Sequence, residues 1–161
     1  MSAPTPPARP LPDGLVVLDA SFVIALLDGE AAAQRHSAVL ARSVISSVTL
    51  GEVFYKLHTS TGIAPAAVQA GLLALGATLA DLPVAAAAHF PALRTIDAAR
   101  RAEQKTNSEK GAALSLADLA VLAHAITTDL PVLTGDRHWT TLQPHGLTVD
   151  VHLFRDGPAT T

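Results

Sequence analysis

Short apolar runs that end in an acid or a turn alternate along this chain with longer stretches whose apolar residues recur at helical spacing. Leu15 to Leu18 is an unbroken apolar run that ends at Asp19, which predicts a buried strand feeding a loop. From Ser21 to about Asp28, Phe22, Ile24, Ala25, Leu26 and Leu27 give a helix its apolar surface, and Gly29 is a natural stop. A second helix is predicted over Ala31 to Ala41, with Gln34, Arg35 and His36 polar. Val44 to Ser46 predicts a short strand, and Thr49 to about Ser60 a helix closed by Gly62. Pro65 opens the next helix, at a position where its missing N–H does no harm. Thr78 to Leu82 reads as a third strand. Helical stretches follow over Val84 to Phe90 and from Pro91 to about Gln104. Lys105 to Gly111 is the most polar segment and predicts an exposed loop. Leu116 to Thr127 predicts a helix, and Val132 to Thr134 and Leu147 to Val151 the last two strands. Strands alternating with helices predict an α/β fold, a parallel sheet covered by helices.

The ends differ from the body. Residues 1–13 are rich in proline and predict a flexible tail, 14–154 a single domain, and 155–161 a second tail. A chain of 161 residues is long enough for one domain with a sizeable core. Hydrophobic residues make up 49% and charged ones 16%, which excludes disorder for the body. The least charged stretch, Ile63 to Ala80, is short for a bilayer span and contains Pro65, Gly71 and Gly76, so a core helix and strand are expected there and no membrane partner. The N-terminus lacks the apolar segment of a signal peptide. With no cysteine, disulfides, zinc–thiolate sites and cysteine nucleophiles are excluded, and a reducing, cytoplasmic location is compatible. The formal net charge of −3 leaves no global basic field, so a nucleic acid would have to be attracted by a local patch or by bound cations.

Four carboxylates carry the candidate chemistry. Asp19 and Asp136 each follow a predicted strand, and open α/β sheets bind ligands beyond the carboxyl ends of their strands. Glu52 and Asp118 fall in the first turns of predicted helices, which start at the same edge of such a sheet. Each acid also has a purely structural role open to it. Asp19 could cap the following helix in competition with Ser21. Thr49-Leu-Gly-Glu52 and Ser115-Leu-Ala-Asp118 both have the spacing of a capping box, and Asp136 could cap the turn at Arg137. If all four converge, the arrangement is costly, since two carboxylates ~5 Å apart repel by ~3 kcal/mol at an effective dielectric near 20. Lys56 is the one lysine close in sequence to any of them and cannot balance all four. Oxygen-only ligands select hard ions such as Mg²⁺ or Mn²⁺.

Asp19-Ala-Ser21, Val48-Thr-Leu-Gly-Glu52-Val, Ser115-Leu-Ala-Asp118-Leu and Leu133-Thr-Gly-Asp136-Arg-His-Trp139 occur in this order, and together they resemble the motifs of PIN-domain ribonucleases. The last run in particular resembles that of VapC-type toxins of toxin–antitoxin pairs. The resemblance covers Leu15 to Phe154. It implies about five parallel strands in the order 3-2-1-4-5 with helices on both faces. It also implies a Mg²⁺- or Mn²⁺-dependent endoribonuclease that hydrolyses RNA with a metal-activated water, leaving a 5′-phosphate and a 3′-hydroxyl. By match of motif, Asp19 and Asp118 would be the principal metal ligands, Glu52 would bind metal or orient its water, and Asp136 would complete the cluster. Ser21, and less directly Thr134, would orient a ligand or phosphate. The resemblance further implies a homodimer and a cognate antitoxin seated in a groove near Phe22 and Phe54.

Other residues are weighed against plainer roles. Arg100, Arg101, Lys105, Lys110 and Arg137 could form a phosphate-binding rim or a solvated surface. Asp97 reads as a surface charge, Trp139 as a core anchor and His138 as a solvated loop residue. The histidines have no ligand spacing for zinc. Two competing functions remain. One is a catalytically silent PIN-like binding module that uses its acids only as caps, which divalent-metal binding would discriminate. The other is an aspartyl phosphatase, for which Asp19-Ala-Ser21 lacks the second acid of an Asp-x-Asp pair.

Overall fold

A computed structural model describes residues 11–106 and 110–155. Five parallel strands form one sheet: β1 (Val16–Leu18), β2 (Ser43–Ser46), β3 (Thr78–Ala80), β4 (Val132–Thr134) and β5 (Val151–Leu153), in the order β3-β2-β1-β4-β5. β1 sits at the centre, with Val17 beside both Val44 and Val132. The central strands β1, β2 and β4 are buried throughout, which is why they read as nearly continuous apolar runs rather than alternating ones.

Alternate residues of β1 serve two cores. Val16 and Leu18 pack with Phe22, Leu26, Val53 and Leu57, while Val17 packs with Leu93, Leu119, Leu122 and Trp139 on the opposite face. The first face is covered by α1 (Ala20–Leu27), α3 (Ser47–Thr61) and α4 (Pro65–Ala74), the second by α5 (Phe90–Glu103) and α6 (Leu116–Thr128). No helix among the described residues is long and apolar enough to cross a membrane.

The structure departs from the predicted elements in several places. The helix expected over Ala31 to Ala41 is one turn, α2 (Ala31–Gln34), followed by a 3₁₀ segment, Ser37–Arg42. The chain bends at His36 so that Val39 and Leu40, adjacent in sequence, both reach the core. α3 begins two residues early because Ser46, not Thr49, is its N-cap, and the Ser46 hydroxyl accepts the Thr49 N–H at 3.2 Å. The Thr49–Glu52 capping box therefore does not form. The last strand starts at Val151 rather than Leu147. Leu147, Val149 and Val151 alternate and are buried, but β4 begins only at Val132, opposite Val151, so the earlier residues have no strand to pair with.

The expected tails are partly attached. Leu11 packs against the core, and the Arg42 guanidinium donates to the carbonyls of Pro12 and Gly14. At the other end Arg155 donates twice to Glu30, at 2.8 and 2.9 Å, and lies over the Phe154 ring. Residues 1–10 and 156–161 lie outside the described residues, as does the middle of the predicted polar loop, 107–109.

Candidate active site

Asp19 leaves the end of β1 with its N–H bonded to the Leu133 carbonyl of β4 at 3.0 Å. It occupies the N-cap position of α1, yet its side chain caps nothing. Its Oδ2 instead accepts two hydroxyls, Ser21 at 2.5 Å and Thr134 at 2.8 Å. Among the described residues no hydrogen bond ends on Oδ1. The Ser21 hydroxyl also accepts the Gly135 N–H at 2.8 Å, and the Thr134 hydroxyl accepts the Asp136 N–H at 3.1 Å. The ends of β1 and β4 are thereby joined by one polar network. Gly135 is required in it: a Cβ there would collide with Phe154 and Arg155, which close over the loop.

Asp19 is only 7% exposed. Burial pushes its carboxyl above the ordinary range, the two hydroxyls pull it down, and the charges of Asp118 and Glu52 raise it again. Asp118 is also raised, chiefly by burial. Its Ser115 partners oppose that, and Asp136 and Glu52 add to it. All four acids thus share one electrostatic neighbourhood, with Asp118 linked to both Glu52 and Asp136.

Asp118 and Asp136 also take the local roles open to them, and Glu52 finds a different local partner. Asp118 completes a capping box, accepting the Ser115 N–H at 2.6 Å while its own N–H is accepted by the Ser115 hydroxyl at 3.1 Å. Asp136 accepts the His138 N–H at 2.8 Å. Glu52 pairs with Lys56 at 2.8 Å, one turn along α3. Among the described residues no group of three histidine or acidic side chains is closed to the spacing of a metal site. The donor set nonetheless suits a hard divalent ion: it is all oxygen, and its buried member, Asp19, is bonded only by neutral hydroxyls.

Several sequence-based expectations are corrected. Arg100 is not on a rim. It is 1% exposed and donates to Asp97 at 2.6 and 3.1 Å and to the carbonyls of Lys110 and Ala112 at 2.6 and 3.1 Å. Asp97, expected on the surface, is 3% exposed and also accepts the Leu114 N–H at 3.1 Å. Both are covered because residues 110–114 fold back over α5. Phe22 cannot line a groove, since it is fully buried edge-on against Phe154, whereas Phe54 is half-buried and Tyr55 is exposed. His138 is not simply solvated. Its ring lies against Gly111, where a Cβ would approach it to 2.5 Å. Trp139 is fully buried, as expected of a core anchor. Arg101 and Lys110 are half-buried and Lys105 and Arg137 exposed. Arg94 was not among the expected rim residues, although its spacing of seven from Arg101 places both on one face of α5.

The PIN domain family model matches residues 16–143. The chain belongs to the PIN domain family. The strand order of this PIN domain, β3-β2-β1-β4-β5, is the one that its motifs implied. Its fold is similar to a chain of VapBC2 from Rickettsia felis bound to a promoter DNA fragment, with 18% identity, a TM-score of 0.60, and 86% of this chain and 98% of that chain covered. It is also similar to a chain of FitAB bound to the IR36 DNA fragment, with 16% identity, a TM-score of 0.62 and coverages of 87% and 95%. A chain of the DNA-bound VapBC from Salmonella typhimurium gives 20% identity, a TM-score of 0.57 and coverages of 88% and 98%. No curated protein sequence is significantly similar to the chain.

Proposed function

We propose that this PIN domain is the toxin of a toxin–antitoxin pair and acts as a divalent-metal-dependent endoribonuclease. The observation that carries the reading is Asp19: a buried carboxylate held by two hydroxyls at the carboxyl edge of the sheet, raised chiefly by its burial, with the charges of Asp118 and Glu52 adding to it. Asp19 and Asp118 would hold Mg²⁺ or Mn²⁺, with Glu52 binding the ion or orienting its water and Asp136 completing the cluster. When bound, such an ion supplies a water of lowered pKa and charge relief for a phosphoryl oxygen.

The chain's own groups prepare that site. Ser21 and Thr134 fix the Asp19 carboxylate through one oxygen and, among the described residues, leave the other without a hydrogen bond. The Ser115 cap fixes Asp118 at the start of α6. Lys56 offsets the charge of Glu52. Solved structures of similar fold include VapBC bound to DNA and a toxin–antitoxin complex from Klebsiella pneumoniae, which supports a protein partner for this chain. With Phe22 buried, the antitoxin would meet the accessible apolar residues of the neighbouring helices α1 and α3, such as Leu27, Phe54 and Tyr55. The protein would act as a homodimer in the cytoplasm.

The test is cleavage of a panel of structured RNAs, with end analysis, in Mg²⁺, in Mn²⁺ and in EDTA. Wild type should cut only with the divalent ion, and Asp19→Asn and Asp118→Asn should fold and not cut. Cleavage that persists in either variant, or in EDTA, overturns the reading. No cleavage together with no metal-dependent rise in Tm favours a silent binding module.

A further inference from the structure

Arg94, Asp97, Ala98 and Arg101 lie along one face of α5 and form a wall of a cleft of about 460 Å³, with Lys110 and Ala113 opposite. We propose that this cleft is the track on which the phosphodiester backbone of a single-stranded RNA runs to the acidic centre, with Arg94, Arg101 and Lys110 as its phosphate contacts. The proposal rests on the nuclease reading and assigns that site's substrate path.

Charge is the first argument. Asp97 is the acid of the lining, and it is neutralised by Arg100 at 2.6 Å and turned toward the Leu114 N–H. The remaining charged groups of the lining are three cations, in a chain whose formal net charge is −3. The field is therefore local, as binding of a polyanion by an acidic protein requires. Shape is the second argument. Arg94 and Arg101 are seven residues apart, about 10 Å along a helix axis, which is longer than a single phosphate group. Ala98, Ala102 and Ala113 keep the surface between the cations low. A positively charged groove that follows the backbone is how single strands are held without sequence preference.

Connection is the third argument. The cleft wall is tied to the acids at two places. The Arg94 guanidinium donates to the Leu114 carbonyl at 2.7 Å, and Ser115, the cap of Asp118, is the next residue. Gly111, next to Lys110, lies under the His138 ring, and the His138 N–H is bonded to Asp136. The buried Asp97–Arg100 pair fixes the 110–114 wall against α5, so the cations and the acids are parts of one framework.

The test is fluorescence anisotropy with a fluorescein-labelled single-stranded RNA oligonucleotide, in EDTA to prevent cleavage, over a KCl titration. Each lost phosphate contact on a single strand flattens the plot of log K against log salt by about 0.7. Arg101→Gln/Lys110→Gln should flatten it by about 1.4, and weaken binding about 25-fold at ~0.1 M salt, while Arg35→Gln, outside the cleft, leaves the slope unchanged. Lys110→Gln alone should flatten it by about 0.7 and serves if the double variant does not fold. Asp19→Asn should keep the wild-type slope and lose cleavage, which separates the track from the chemistry. Wild-type slopes in the cleft variants, with RNA still bound, overturn the track and leave the nuclease reading standing. Wild type that binds no RNA in EDTA overturns the track alone, and the nuclease reading is then decided by the cleavage assay in Mg²⁺ and Mn²⁺.

Discussion

Replacing Arg100 by methionine should be among the most damaging single changes in this domain, although the residue sits on a helix whose sequence looks like a solvated face. The guanidinium makes four hydrogen bonds: two to Asp97 and one each to the carbonyls of Lys110 and Ala112. In Arg100→Met, Asp97 keeps only the Leu114 N–H and remains a buried carboxylate without its cation. Breaking a buried pair from one side costs about 3–5 kcal/mol, because the stranded charge has lost its water as well as its partner. The two carbonyls belong to half-buried and exposed residues, so water can replace their donors and they add little. For a domain of this size each kcal/mol moves Tm by about 2–4 °C, so the expected fall is about 6–20 °C. Urea unfolding followed by far-UV circular dichroism would measure it, as a lower midpoint at unchanged slope. Asp97→Asn/Arg100→Met should recover at least half of the loss, since no charge is then stranded. A cost below about 1 kcal/mol for Arg100→Met, or a double variant whose cost equals the sum of the two singles, would refute the argument.

The other expectations are smaller or conditional. Burial raises Asp19 above its ordinary 3.8. The folded chain therefore holds that proton more tightly than the unfolded chain, and the stability this confers is complete below 3.8 and lost as pH rises through the raised value. In EDTA, Asp19→Asn should thus gain on wild type across that window and exceed it at neutral pH, with Mg²⁺ closing the gap. Melting curves at a series of pH values would show this, and a variant that loses ground as pH rises would contradict it. Gly111→Ala should cost at least about 1 kcal/mol in urea, because φ there is +60° and the new methyl group meets His138. Ser46→Ala should cost about 1 kcal/mol by the same measurement, through loss of the α3 N-cap, and a neutral result would return the cap to Thr49.

Much of this was legible in the sequence because it is local. Apolar runs ending at Asp19 and after Thr134, proline opening α4 and glycines closing helices each encode their own geometry within a few residues. The four acids could be gathered from the rule that strand ends and helix starts share one edge of a parallel sheet. What could not be read depends on distant packing. Ser46-x-x-Thr49 and Thr49-x-x-Glu52 are overlapping cap registers, and burial of Ser46 at the end of β2 decides between them. Arg100 and Asp97 have the spacing of a surface ion pair, and only the return of residues 110–114 over α5 makes them interior. The alternation at Leu147, Val149 and Val151 is a strand pattern by itself, and the length of β4 cuts it short.

Asp19 and the Thr134 hydroxyl that helps to hold it are separated by 115 residues. At synthesis rates of 5–20 residues per second, the first acid leaves the ribosome about 6–23 s before the strand that completes its surroundings. During that interval β1 can pair only with β2, because its other neighbour, β4, does not yet exist. For most of that interval the nascent chain is half a sheet with a bare apolar edge, and Asp136 is still to be made. A partly made copy cannot assemble the four-acid centre and is prone to edge-to-edge association. The order in which the sheet is filled thus leaves the gathering of the four acids until β4 has been made.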